Sequence, residues 1–87
     1  MKCTTTARYA CPCCGLLTLS APPPGTFTVC PVCCWGDDDT QYRYPDYAGG
    51  VNEVSLQEAR LNFKLFGAAS PAASRHVRPA LPDEIPA

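Results

Sequence analysis

Four cysteines constrain this chain more than anything else in it. Cys11 and Cys14 form one C-x₂-C turn, Cys30 and Cys33 form a second, and fifteen residues separate the turns. The pattern C-x₂-C-x₁₅-C-x₂-C is a spacing of structural metal sites. Two cysteines three apart on a tight turn can point at one ion. Two such turns facing each other supply four thiolates in a tetrahedron, with bonds of about 2.3 Å to zinc. Pro12 and Pro31 each follow the first cysteine of a turn and preset φ there. Gly15 follows the first turn, where the backbone needs φ > 0.

Length explains why such a staple is wanted. The chain has 87 residues, ten of them proline and six glycine. A domain of this size buries only about 60% of its unfolded surface, so its apolar core is marginal. Metal binding in small sites is worth about 10–16 kcal/mol, more than many domains have in total. The metal-free reduced chain is therefore expected to be largely unfolded. No apolar stretch approaches the roughly 20 residues of a membrane span, and Cys3-Thr4-Thr5-Thr6-Ala7-Arg8 is no signal-peptide core. These features predict a cytoplasmic protein, where thiols stay reduced and clustered cysteines mean metal or redox chemistry.

The expected fold is a small α+β metal-stabilised domain: a zinc-ribbon or zinc-knuckle-like β hairpin with one helix in the C-terminal half. The whole chain, 1–87, reads as one domain. Leu16 to Leu19 and Thr26 to Val29 are strand candidates around the turn Ala21-Pro22-Pro23-Pro24-Gly25, and Thr4 to Tyr9 is a strand-forming lead. Ser55-Leu56-Gln57-Glu58 fits a capping box, and Gly67 fits a left-handed C-cap, so a helix is predicted over 55–66. Leu56, Ala59, Phe63 and Phe66 share its core-facing side. Leu61 and Leu65 lie nearly opposite, either under the tail 68–87 or free as a partner-binding stripe.

Cys11, Cys14, Cys30 and Cys33 are the predicted ligands of one structural Zn²⁺, with iron held in a rubredoxin-like way as the alternative metal. Using Cys13 or Cys34 instead would squeeze or widen a turn. Those two and Cys3 read as small apolar side chains, or else as a redox sensor or second metal site. A catalytic zinc would keep an open position, and the one histidine, His76, sits far down the tail as a solvated residue. A thioredoxin-type dithiol would need a βαβ context. No Ser/His/Asp set or glycine-rich phosphate loop is present. The chain is expected not to be an enzyme.

At this point the motifs match a known family. Cys11-Pro12-Cys13-Cys14-Gly15 resembles the signature of the bacterial cysteine-rich CPCC domain family. The likeness continues through Pro24-Gly25-Thr26, Cys30-Pro31-Val32-Cys33, Trp35 with Asp37-Asp38, Pro45-Asp46-Tyr47 and Gly49-Gly50. It then runs through Ser55-Leu56, Glu58-Ala59-Arg60, Asn62, Phe66-Gly67-Ala68, Val77-Arg78, Pro79 and Glu84. The resemblance implies a small metal-binding domain whose tail belongs to it as a strap, and it supplies no activity. Cys34 and Gly36 depart from it, standing where an aromatic residue and an acid are expected.

Charge and aromatic residues point to a protein partner. Seven Lys and Arg face eight Asp and Glu, for a formal charge of −1. Nucleic-acid binding wants a basic stripe, so a nucleic-acid-binding or transcription-associated ribbon is the second reading. Trp35, Asp37, Asp38, Asp39, Tyr42, Tyr44 and Asp46 form an acidic, aromatic stretch suited to an interface. With Leu61 and Leu65 they are the predicted partner-binding residues. The concrete expectation is an immunity or antidote-type protein docking on a basic toxin, with a rubredoxin-like electron carrier as the third reading.

Overall fold

The computed structural model describes residues 8–86. Each C-x₂-C turn has its own short hairpin. β1 (Tyr9–Ala10) pairs antiparallel with β2 (Leu17–Leu19), Tyr9 opposite Leu19 and Ala10 opposite Leu17 across a bulge. Between them the first knuckle closes, with Gly15 N–H donating to Cys11 O at 2.8 Å and Cys11 N–H to Leu16 O at 2.9 Å. The second knuckle repeats this geometry: Cys34 N–H donates to Cys30 O at 2.8 Å, and Cys30 N–H to Trp35 O at 2.9 Å. Val29 bridges Gly36 on its flank.

The predicted strand over 26–29 thus pairs with residues 35–37, not with the strand before the proline turn. A C-x₂-C turn folds the chain back on itself, so the nearest partner for each flank is the other flank of the same knuckle. Of the predicted lead, Tyr9 lies in β1, while Thr4, Thr5 and Thr6 lie outside the described residues, as does Cys3.

Two helices follow. α1 (Asp39–Arg43) was not legible in the sequence, which reads there as an acidic turn. Asp38 caps it, its carboxylate accepting from Gln41 N–H at 3.1 Å, and Arg43 pairs back to Asp39 at 3.3 Å. α2 (Leu56–Phe66) matches the expected span. The Ser55 hydroxyl accepts from Glu58 N–H at 3.1 Å, and Gly67 ends the helix at φ 81°. Among the described residues no helix is long and apolar enough to cross a membrane.

The core gathers Leu19, Val32, Trp35, Leu56, Ala59 and Ala69 around Cys11, Cys13, Cys30 and Cys33, with Phe63 half-buried against it. Phe66, expected inside, is largely exposed; it lines a cavity of about 320 Å³ with Leu16, Val32, Phe63 and residues 77–80. The tail runs along this side. It leaves Leu61 and Leu65 uncovered, 56% and 70% exposed, so the tail-covered alternative for that stripe does not hold. Buried Glu84 fastens the tail: Arg78 donates to both its oxygens at 2.9 and 2.7 Å, and Leu81 N–H adds a third bond at 2.9 Å. Arg8 reaches Asp83 at 3.3 Å and Glu84 at 3.8 Å.

Candidate metal centre

The two knuckles bring the sulfurs of Cys11, Cys14, Cys30 and Cys33 within 4.8 Å of one another. Cys11 Sγ lies 3.6 Å from Cys33 Sγ, and Cys14 Sγ lies 3.7 Å from Cys30 Sγ. A regular tetrahedron with metal–sulfur bonds of about 2.3 Å has edges of about 3.8 Å. The donor set and its dimensions therefore fit a tetrahedral metal ion. Cys11, Cys30 and Cys33 are buried and Cys14 is half-buried.

Four sulfurs this close compete for protons. The neighbouring sulfurs of Cys11, Cys14 and Cys33, Cys11 first, push Cys30 well below the ordinary thiol value, and the Thr18 hydroxyl donates to its Sγ at 3.1 Å. Cys11 is lowered as well, first by its bond with Cys14. Cys14 and Cys33 are pushed up, each first by its bond with Cys11. A divalent ion held by these four sulfurs would take the place of the thiol protons.

The surrounding structure braces the knuckles. Ala69 N–H donates to Cys33 O at 2.8 Å, and Arg60 Nε donates to Pro12 O at 2.8 Å, so α2 and the segment after it hold both turns. Thr18 was missed by sequence reasoning. Strand alternation sets it apart from Leu17 and Leu19, but nothing local says that a sulfur lies opposite. Cys13 is buried at the place that Val32 holds in the other knuckle. Cys34 is half-buried, and burial raises its thiol. His76 is exposed.

These are the features of one family. A profile described as "Cysteine-rich CPCC" matches residues 9–84. The chain belongs to the cysteine-rich CPCC family. No curated protein matches it. In this CPCC domain the match spans both knuckles, both helices and the Glu84 anchor.

The predicted partner surface is partly corrected. Trp35 and Asp37 are fully buried, and Asp38 nearly so. Trp35 packs into the core beside the second knuckle. Asp37 Oδ2 accepts from the backbone and hydroxyl of Thr26 at 3.0 and 2.7 Å. Asp38 caps α1 and accepts from Val51 N–H at 2.9 Å, and these backbone donors, Val51 first, lower its carboxyl pKa. Asp37 Oδ2 and the Asp38 carboxylate are taken up by the fold, while Trp35 Nε1 and Asp37 Oδ1 are buried without a hydrogen-bond partner among the described residues. Tyr42, Tyr44, Asp46, Leu61 and Leu65 are exposed, and Asp39 is half-exposed.

Proposed function

We propose that Cys11, Cys14, Cys30 and Cys33 hold one structural Zn²⁺ and that the CPCC domain is a non-enzymatic protein-binding module. The observation that carries the metal reading is the cluster of four sulfurs within 4.8 Å of one another, on three buried cysteines and one half-buried one. Four protein ligands close the coordination shell, which is the mark of a structural and not a catalytic site. Zinc supplies tetrahedral bonding without redox chemistry; rubredoxin-like iron is the alternative. Native mass spectrometry of protein grown with both metals decides between them. One zinc per chain supports the proposal, and one iron with visible colour overturns it.

Exposed Leu61, Leu65, Tyr42 and Tyr44 support a protein partner, since Leu and Tyr on one small domain are costly to leave wet. Charge argues against nucleic acid. Four thiolates and a divalent ion add two negative charges to the formal −1, for a total of −3. The narrower antidote-type reading now rests on Asp39 and Asp46, because Asp37 and Asp38 face inward. Affinity capture with and without nuclease tests the class of partner. A stoichiometric protein that survives nuclease and is lost in Leu61→Asp/Leu65→Asp supports the module. Recovery that vanishes with nuclease overturns it. Asp39→Lys/Asp46→Lys weakens capture if the partner is basic.

A further inference from the structure

We propose that the metal centre is a peroxide-responsive site whose oxidation gives two disulfides between the knuckles, Cys14–Cys30 and Cys11–Cys33, with release of the ion. The proposal rests on sulfur positions and goes beyond the structural-metal reading, because the disulfide pattern is defined whichever metal is bound. The cross-knuckle sulfurs already sit 3.7 and 3.6 Å apart, and their cysteines are 16 and 22 residues apart in sequence. Closing each pair to a disulfide needs an approach of about 1.6 Å, to a bond of about 2.05 Å.

Exposure sets the order. Cys14 is half-buried, whereas Cys11, Cys30 and Cys33 are each no more than 1% exposed. Peroxide therefore meets Cys14 first. Its sulfur attacks one peroxide oxygen, the O–O bond breaks, and hydroxide leaves, giving the Cys14 sulfenic acid. Cys30 Sγ then attacks Cys14 Sγ. The S–O bond breaks, the S–S bond forms, and a second hydroxide leaves and is protonated to water. Two electrons pass from two sulfurs to one peroxide. A second peroxide oxidises Cys33 and Cys11 in the same way. The ion departs because its thiolates are consumed.

Cross-knuckle bonds do what the metal does. Each knuckle is already closed by its own backbone bonds, Gly15 N–H to Cys11 O and Cys34 N–H to Cys30 O. What the metal adds is the tie between the knuckles. Disulfides within a knuckle would leave that tie open, whereas Cys14–Cys30 and Cys11–Cys33 restore it. The oxidised domain therefore keeps its fold after giving up its ion.

The test is a hydrogen peroxide titration of the metal-loaded full chain, read by a zinc-binding dye, circular dichroism and disulfide mapping by digestion and mass spectrometry. The expected result is about one equivalent of released ion per chain, Cys14–Cys30 appearing before Cys11–Cys33, and retained ellipticity. Cys13 is a further buried thiol in the first knuckle, next to Cys14 in the chain. A Cys13–Cys33 bond, bonds within a knuckle, or sulfinic acids without disulfides would overturn the proposal. Native mass spectrometry of the loaded chain before peroxide is added gives its metal content, which separates failure of this proposal from failure of the metal reading. Adding Cys3→Ser, Cys13→Val and Cys34→Gly leaves the expected bonds in place and removes the three other thiols of the chain.

Discussion

Cys34 occupies φ 68°, a conformation that costs a non-glycine residue about 1–2 kcal/mol. Its counterpart in the first knuckle is Gly15, at φ 78°. Cys34→Gly is therefore expected to stabilise the metal-loaded domain by about 1 kcal/mol, measured as a higher melting temperature. A lower one would mean that the half-buried thiol packs better than its backbone strain costs. Thr18→Val removes the hydroxyl donor to Cys30 Sγ and is expected to weaken metal binding about tenfold in competition with a chelating dye. Thr18→Ser should restore it. The ligand spacing was legible because a C-x₂-C turn is local chemistry. Thr18 was not, because its partner is twelve residues away and reached only through tertiary packing.

At the scale of elements, α1 is held by one side chain. Buried Gln41 Nε2 donates to Tyr47 O at 3.2 Å, Asn52 O at 3.2 Å and Val54 O at 2.9 Å. Its Oε1 accepts from Asn52 N–H at 3.1 Å and Asn52 Nδ2 at 2.9 Å. Asn52 also exchanges two hydrogen bonds with the Gly36 backbone, tying this loop to the second knuckle. Gln41→Leu keeps the volume but orphans these groups, and is expected to cost about 3 kcal/mol in denaturant unfolding of the metal-loaded protein. Exposed Thr40→Ala next to it should cost under about 0.5 kcal/mol. Gly50 packs against the same hub: a Cβ there would lie 2.6 Å from Asp38 Oδ2 and 2.9 Å from Gln41 Cγ. Gly50→Ala is expected to destabilise by about 1–3 kcal/mol. A five-residue helix lacks the periodicity that revealed α2, and its polar core residue reads locally as surface. The outward stripe of α2 was legible as apolar; that the tail leaves it uncovered was not, since helical spacing describes only one partner of a contact.

For the whole molecule, the proposed metal and the tail would act on different parts of the stability. Chelation of the ion is expected to unfold the reduced chain, followed by circular dichroism; an unchanged melt with a strong chelator would contradict this. The tail responds to acid. Arg78, and then Leu81 N–H, hold the Glu84 carboxyl at about 2 against an ordinary 4.5. A depressed carboxyl stabilises the fold above its unfolded value, so this contribution is intact above pH 4.5 and is lost as pH falls toward about 2. Amide exchange at Ala80 to Ile85 is expected to rise across that window. Glu84→Gln should show fast exchange there already at neutral pH, since it cannot pair with Arg78 as a carboxylate.

Arg8 touching Asp83 and Glu84 makes the described chain nearly a ring. Its two ends come within the reach of an arginine and an acidic side chain. A peptide linker of modest length joining them would add no new contact that the molecule must accommodate, and the ring could then be opened at another exposed loop. Which segment is synthesised first is, for such a shape, a question of wiring; the set of neighbours that makes the domain would be unchanged.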